Sequence, residues 1–345
     1  GYEIYVMNAD GTCVTRLTDF SARHSAKSPR WSPDGSEILF ELSYRGGLLS
    51  RPDTDLYIVT VDSSRVTRLT RRGGNFIGRW SPDGSRIAFV SDRDGYRALY
   101  VMNANGAYQV RLTSAEDGEV ATRTRHISWS PDGTRIAFTA ASSGREKVYV
   151  AHVDGSSLSN LTHDPSADDA FLTWVPDQDR ILFKSNRVVD GQEGWWLYIA
   201  NADGTDRQRL IALDGSSGRL YVKGWASTSM LQLVLSGWRW TYILDIECAL
   251  DHRPPWNKID SVPEVCYRKL ADPSSLYPRS PSVTLYECSG APQLTYRVVR
   301  GFPEGYAGPP HDNDGIDIVV MNFDGTGITN LTDCSALNVD PNWSP

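Results

Sequence analysis

A ten-residue phrase, Trp80-Ser-Pro-Asp-Gly-Ser-Arg-Ile-Ala-Phe89, constrains this chain more than any other feature. It returns at 31–40 and 129–138, and in altered form as Trp174-Val-Pro-Asp-Gln-Asp-Arg-Ile-Leu-Phe183. Asn342-Trp343-Ser344-Pro345 opens one more copy. Trp31, Trp80, Trp129, Trp174 and Trp225 stand 49, 49, 45 and 51 residues apart. Self-similarity at such a period decides the architecture first, because each unit needs its neighbours to bury its apolar face.

Each repeat holds four short runs rich in β-formers. In the second they are 78–80, 86–90, 98–102 and 109–112. Pro82-Asp83-Gly84 is a turn with a mechanism: proline presets φ, aspartate bonds the backbone ahead, and glycine accepts positive φ. Asn103-Ala-Asn-Gly106 plays that part between the third and fourth runs, with relatives at 8–11, 152–155, 201–204 and 322–325. Short alternating strands separated by Gly, Asp and Asn read as an antiparallel meander. Four such strands per repeat of this length are one blade of a β-propeller, so the predicted fold class is all-β.

A blade that reads Trp-Ser-Pro-Asp-Gly, then Ile-Ala-Phe, then Tyr-Val-Met-Asn, then Arg-Leu-Thr resembles the TolB-like propeller repeat. That family also takes in the propeller domains of prolyl-oligopeptidase-like peptidases. The likeness is specific in four blades and extends more loosely along nearly the whole chain. It implies one propeller domain over residues 1–345. Blades are expected to start near Trp31, Trp80, Trp129, Trp174, Trp225 and residue 282. The fifth takes strands at 231–235, 241–245 and 265–270, and the sixth at 283–286, 294–299, 316–321 and 327–331. A composite blade combines residues 1–20 with 340–345. The count is seven blades, the last closed by both chain ends, which removes an open sheet edge. A six-bladed ring is the alternative, and it requires the stretch from Trp225 to Trp343 to form one overgrown blade.

Hydrophobic content of 40% and aromatic content of 10% suffice for a core. A formal charge of −7 argues against a nucleic-acid surface. No apolar run approaches the roughly 20 residues that span a bilayer, so membrane insertion is not expected. The chain begins inside a repeat, so a leader removed from it or lying outside this sequence is the expectation, and with the resemblance it implies a bacterial, extracytoplasmic setting. The five cysteines show no Cys-x-x-Cys and no zinc spacing. Cys248 and Cys266 bracket a Pro-rich loop and are the disulfide candidates. The alternative is that all five are small buried hydrophobes. A bridge would imply an oxidising compartment.

Blade topology sorts the loops. Connections from strand two to three, and from strand four to the next strand one, share one face and hold the longer, unequal segments. They place Tyr44, Arg45, Arg51, Arg93, Tyr96, Arg187, Trp195, Trp196, Tyr306 and His311 around one rim, with Arg125 and His126 at the channel mouth. Arginine and aromatics are favoured binding anchors. Against this, Trp195 and Trp196 begin a third strand, where alternation sends neighbours to opposite faces and one of them into the next blade. Lys27, Phe76, Ile77, Asp168, Asp169 and Phe171 lead down first strands that line the channel. Asp312, Asp314 and Asp317 space oxygens like a calcium loop without its terminal glutamate, and an Asx-rich turn explains the same spacing. No cofactor other than calcium there is expected.

Catalytic motifs are absent from the sequence: no Gly-x-Ser-x-Gly, no His-Glu-x-x-His, no phosphate-binding loop. The first reading is therefore a non-enzymatic recognition propeller that binds a protein, peptide or small ligand at the long-loop face and channel mouth. The second is a carbohydrate-active lyase or hydrolase using the same face, since arginine, histidine and tyrosine are the types that neutralise a uronate and move a proton. The third is the sensor portion of a longer chain.

Overall fold

Alternating apolar residues and turn-forming Pro-Asp-Gly or Asn-x-x-Gly segments leave each repeat little choice but a meander. The computed structural model describes residues 1–8, 12–44, 53–120, 127–142, 144–188, 191, 193–213, 220–225, 229–235, 240–252, 263, 266–269, 282–286, 293–299, 316–322 and 329–330. Strands β1 (Tyr5–Val6) and β2 (Thr15–Arg16) form a two-stranded ribbon. Sheet 1 runs β3 (His24–Trp31), β4 (Glu37–Tyr44), β5 (Asp53–Thr60), β6 (Val66–Arg68). Sheet 2 runs β7 (Asn75–Trp80), β8 (Arg86–Ser91), β9 (Ala98–Asn103), β10 (Val110–Arg111). In sheet 3 the first strand is split into β11 (Glu119–Val120) and β12 (Ile127–Trp129), both paired to β13 (Arg135–Ser142), followed by β14 (Arg145–His152) and β15 (Leu158–Asn160). Sheet 4 holds β16 (Asp169–Trp174), β17 (Arg180–Ser185), β18 (Trp195–Asn201) and β19 (Gln208–Leu213).

Sheet 5 holds β20 (Leu220–Trp225), β21 (Met230–Leu235), β22 (Trp240–Asp245) and β23 (Tyr267–Lys269). Between its last two strands lies α1 (Ile246–Asp251). Sheet 6 holds β24 (Ser282–Tyr286), β25 (Gln293–Val299), β26 (Ile316–Asn322) and β27 (Thr329–Asn330). All these pairings are antiparallel. The first strands β3, β7, β12, β16, β20 and β24 neighbour one another in that order. The fourth strands lie at the far edge of each sheet. The ribbon supplies strands three and four of the expected composite blade; residues 340–345, its other part, lie outside the described residues.

Alternation along each strand sends successive residues to opposite faces, and each face joins a different neighbour. In β8, Ile87 and Phe89 pack with Leu39, Leu56 and Leu69 of sheet 1. Ala88 and Val90 pack with Ile127, Trp129 and Phe138 of sheet 3. The same rule joins sheets 3 and 4 through Phe171, Trp174 and Trp196, and sheets 4 and 5 through Leu197, Leu231 and Leu244. Ile4 and Leu17 bring the ribbon onto sheet 1.

The repeated tryptophan is the joint. Trp80 Nε1 donates to Arg30 O at 3.2 Å, Trp129 Nε1 to Arg79 O at 3.0 Å, and Trp174 Nε1 to Ser128 O at 3.0 Å. Each reaches back to the residue that precedes the previous sheet's own tryptophan. Arg86 and Arg135 cover the rings of Trp129 and Trp174 at 5.5 and 5.3 Å. Inner strands carry a second tie. Glu41 Oε1 accepts from Ile77 N at 3.0 Å, and Thr139 Oγ1 accepts from Phe171 N at 2.9 Å. Ile77 sits at φ 59, rare for a β-branched residue. It marks the register shift of β7, and the bond from the neighbouring sheet holds it there.

The motif's aspartate organises its turn. Asp83 Oδ1 accepts from Ser81 Oγ at 2.5 Å and from Ser85 N at 3.1 Å; Asp34 and Asp132 repeat the pattern. Gly84 lies at φ 71, the conformation that excludes a side chain cheaply only for glycine. In the altered fourth copy glycine gives way to Gln178, and the left-handed residue becomes Asp177 at φ 55, a type that tolerates it. The Ser81 hydroxyl, then those of Ser85, hold the Asp83 carboxyl down to about 2, below its ordinary 3.8. A depressed carboxyl stabilises the fold fully above its unfolded pKa and loses that contribution as pH falls through the folded value. Stability should therefore fall more gently between about pH 4 and pH 2 in Asp83→Asn than in wild type. Superimposable acid-unfolding curves would remove this role.

Asp245 caps α1, its side chain accepting from Cys248 N, and Ile246 and Ala249 are buried. The helix brings Cys248 to Cys266, and the two form a disulfide with Cα atoms 5.3 Å apart. It closes a loop of sequence separation 18, so replacing both cysteines with serine should lower stability by about 3 kcal/mol. Urea unfolding of the double variant measures this; an unchanged midpoint would mean the bridge constrains nothing. Cys13 is free and exposed.

Candidate functional site

On the longer-loop face, sheets 2 and 4 carry one recurring device. In each, a strand-two phenylalanine stacks on a strand-three tyrosine: Phe89 on Tyr100 at 5.4 Å, Phe183 on Tyr198 at 5.3 Å. Two residues past the phenylalanine stands a serine, and four past it an arginine. Arg93 Nε donates to Ser91 Oγ at 2.9 Å, and its Nη2 donates to Asn75 Oδ1 at 2.7 Å. Arg187 Nε donates to Ser185 Oγ at 2.8 Å, and its Nη2 to Asp169 Oδ1 at 2.8 Å. Both guanidinium groups lie over the tyrosine ring, at 4.7 and 5.1 Å. Asn75 and Asp169 each stand five residues before their sheet's tryptophan.

The preceding sheet completes each device. Asp55 of β5 accepts from Asn75 Nδ2 at 2.9 Å and from Thr70 Oγ1 at 2.8 Å, and also from Arg68. Lys147 of β14 takes the corresponding place in the other joint. Its Nζ lies 3.1 Å from Asp169 Oδ2 and donates to Ala167 O. Asp169 is wholly buried, and Lys147 and Arg187 are 6% and 9% exposed. Above this buried group, Arg145 pairs with Asp168 at 2.8 Å, while Asn186 Oδ1 accepts from Asp168 N at 2.6 Å.

Around Tyr100 the network continues outward. Tyr100 Oη donates to Asp94 Oδ2 at 2.5 Å, and Arg111 Nη1 donates to the same oxygen at 2.8 Å. Burial, with the bond to Asp94 second, pushes the Tyr100 phenol up to about 12. That bond and Arg111 hold the Asp94 carboxyl below its ordinary range.

The structure thus turns inward several residues that the sequence places on a binding rim. Arg93 and Arg187 are framework, locked by serine and amide or carboxylate partners. Trp196 is buried between sheets 3 and 4, with Arg209 over its ring at 4.2 Å. Trp195 is half-buried against the core of sheets 4 and 5, with Lys184 Nζ 4.8 Å from its ring centre; burial lowers the pKa of that lysine. Tyr96 is half-buried under Arg111 at 5.9 Å. Ile77, Asp169 and Phe171, read as channel-lining, are buried instead. Bulges in β7 and β16 rotate these positions off simple alternation.

Tyr44 remains at the surface, 40% exposed. It meets His24 at 5.1 Å, and His24 meets Phe20 at 6.0 Å. Ser21 Oγ lies 2.8 Å from His24 Nδ1. Sequence reasoning missed His24 and Phe20, although Phe20 lies on the connection from the ribbon into β3, a strand-four-to-one loop, and His24 opens that strand. Arg45, Arg51, Arg125, His126, Tyr306, His311, Asp312 and Asp314 lie outside the described residues. Asp317 falls in β26 with only its backbone described.

Meanders of four antiparallel strands, stacked face to face with their first strands innermost, define a β-propeller. The family model of the TolB β-propeller domain matches residues 4–127. The Tol-Pal system protein TolB of Francisella tularensis subsp. mediasiatica is 37% identical over 105 residues, 30% of this chain and 23% of that protein. This chain therefore matches about a quarter of that relative's length. An oligogalacturonate lyase in complex with manganese superposes with a TM-score of 0.62 at 15% identity, over 95% of this chain and 83% of that one. The propeller domain of the Trilobed protease from Pyrococcus furiosus, described as having an open velcro topology, gives 0.54 at 12% identity, over 90% and 84%. At these identities the likeness concerns the fold. Over residues 4–127 the chain is similar to the TolB β-propeller domain, and its sheets share the propeller fold with these structures.

Proposed function

We propose that this chain is a non-catalytic recognition propeller, working outside the cytoplasm, that binds a protein or peptide segment on the longer-loop face. One observation carries this reading. The device's arginines and the acids beside them are already committed to partners: Arg93 to Ser91 and Asn75, Arg187 and Lys147 to Asp169, Arg145 to Asp168. What faces solvent beside them is contact surface, Tyr44 at 40% and Val188 at 59%. Exposed aromatics next to arginine-bearing loops suit protein contact more than proton transfer. The Francisella tularensis relative is a Tol-Pal system protein, in keeping with an interaction role. The Cys248–Cys266 disulfide fits an oxidising compartment. No helix among the described residues is long and apolar enough to cross a membrane.

The test is a pair of photo-crosslinking positions in the full chain, Tyr44 and Tyr108, used in extracts of the source organism. Tyr108 follows the turn between strands three and four, on the opposite face. Specific adducts at Tyr44 and none at Tyr108 are expected, together with no unsaturated ends released from acidic polysaccharides. Turnover that loop-face substitutions abolish would replace this reading with the carbohydrate-active one.

A further inference from the structure

Sheets 2 and 4 share the aromatic–arginine device, and one replacement beside the tyrosine hydroxyl sets them apart. Tyr198 is the counterpart of Tyr100. Both stack on the strand-two phenylalanine and both lie beneath an arginine. Both stand in register with an arginine on strand four, Arg111 in one sheet and Arg209 in the other. The residue after the device's arginine is Asp94 in sheet 2 and Val188 in sheet 4. The acceptor that Tyr100 uses is therefore replaced by an apolar side chain. Tyr198 is 4% exposed, and its hydroxyl meets no hydrogen-bond partner. A buried donor without an acceptor is costly.

Other changes push the same way. Gln109, which donates to Leu69 O at 2.9 Å, becomes Arg207, which donates to Leu161 O at 3.0 Å. Asp55, beside the first device, becomes Lys147 beside the second. Burial raises the Tyr198 phenol pKa, and Arg187, Arg209 and Arg207 all act on it electrostatically. This local excess of cations lies in a chain of net charge −7, so the attraction for an anion belongs to the spot and not to the surface as a whole. The Tyr198 hydroxyl is buried, and the residue beside it opens to solvent: Val188 is 59% exposed, as the Asp94 side chain is 42% exposed in sheet 2.

We propose that the place beside Val188, where sheet 2 positions its own Asp94 carboxylate, receives the carboxylate of an aspartate or glutamate on a peptide partner, with the Tyr198 hydroxyl donating to it and Arg209 beside it. The proposal rests on the recognition reading above and names what that face selects. An isolated acidic side chain fits better than a chain of uronates, which needs a cationic position at each sugar. Here the corresponding position two sheets away is already filled by Asp94.

The probe is a capped hexaglutamate peptide, with hexaglutamine as neutral control and trigalacturonate as sugar carboxylate, titrated calorimetrically into the full chain. Hexaglutamate should bind and hexaglutamine should not. Tyr198→Phe should weaken hexaglutamate at least tenfold, since a hydrogen bond to a charged group is lost. Val188→Asp should supply the carboxylate internally, abolish binding and raise Tm, whereas Val188→Ala should leave binding intact. The rise in Tm keeps the test clear of misfolding. Equal binding of both hexapeptides, unchanged affinity in V188D, or no binding of hexaglutamate would overturn the proposal. Trigalacturonate binding without hexaglutamate binding would overturn its assignment to a peptide. If the carboxylate site fails while crosslinking from Tyr44 persists, the recognition reading survives it; loss of those crosslinks with hexaglutamate still bound is the reverse case.

Discussion

Trp129→Ala should lower the unfolding free energy by about 4 kcal/mol, a large share of the stability of an ordinary domain. Trp129 is 6% exposed and packs with Ile77, Ile127, Ile136 and Phe138 between sheets 2 and 3. Its removal leaves a cavity at a joint that cannot collapse, because both flanking sheets are held by other contacts. It also removes the indole bond to the Arg79 carbonyl and uncovers Arg86. Arg86→Ala removes the cation over the ring and the bond from Arg86 Nη2 to Gly133 O at 3.3 Å, and should cost about 1 kcal/mol. Urea unfolding with coincident probes measures both. A loss under 1 kcal/mol for W129A would show that the repeated tryptophan is not the joint.

Asp169→Asn should be comparably severe, by about 3–5 kcal/mol, although it removes almost no volume. Two nearly buried cations, Lys147 and Arg187, share the Asp169 carboxylate, and breaking a buried pair leaves uncompensated charge. The protein contains its own control. Where sheet 2 has Asn75, sheet 1 supplies Asp55, so the amide accepts Arg93 and donates to a carboxylate. The charge has moved one residue across the joint. The double variant K147D/D169N rebuilds that arrangement between sheets 3 and 4 and should recover most of the loss. Coupling between nearby sites is what a double-mutant cycle detects. Simple additivity of the two single effects would sink the explanation.

The repeat, the strand order and the turn chemistry were legible because each is local. Proline, aspartate and glycine in sequence specify a turn wherever they occur, and β8 and β9 fall within a residue of the expected runs. The worn fifth copy was found from Trp225 and the sixth by strand spacing alone, and their second strands run at 230–235 and 293–299. Other features were hidden because they depend on pairs distant in sequence. Arg93 reads as a loose loop arginine until Asn75, 18 residues earlier, is placed against it. The signal was available in the repeats: serine and arginine at fixed offsets after Phe89 and Phe183, and an amide or acid five before Trp80 and Trp174. The bulges of the inner strands left no such mark, and they moved Ile77 and Phe171 off the channel. The short helix was not read from the sequence, although Asp245, a favoured capping residue, opens it with Glu247 in the first turn.

Every tryptophan joint described here points backward along the chain. Trp80 donates to sheet 1, Trp129 to sheet 2 and Trp174 to sheet 3. A polypeptide leaving the ribosome therefore finds the acceptor for each new sheet already made. Domains that emerge N-terminus first fold as units in that order, and nearest-neighbour repeats can propagate from an existing one. Each of these three joints has both its partners once its own sheet has emerged, so none of them needs later sequence to close.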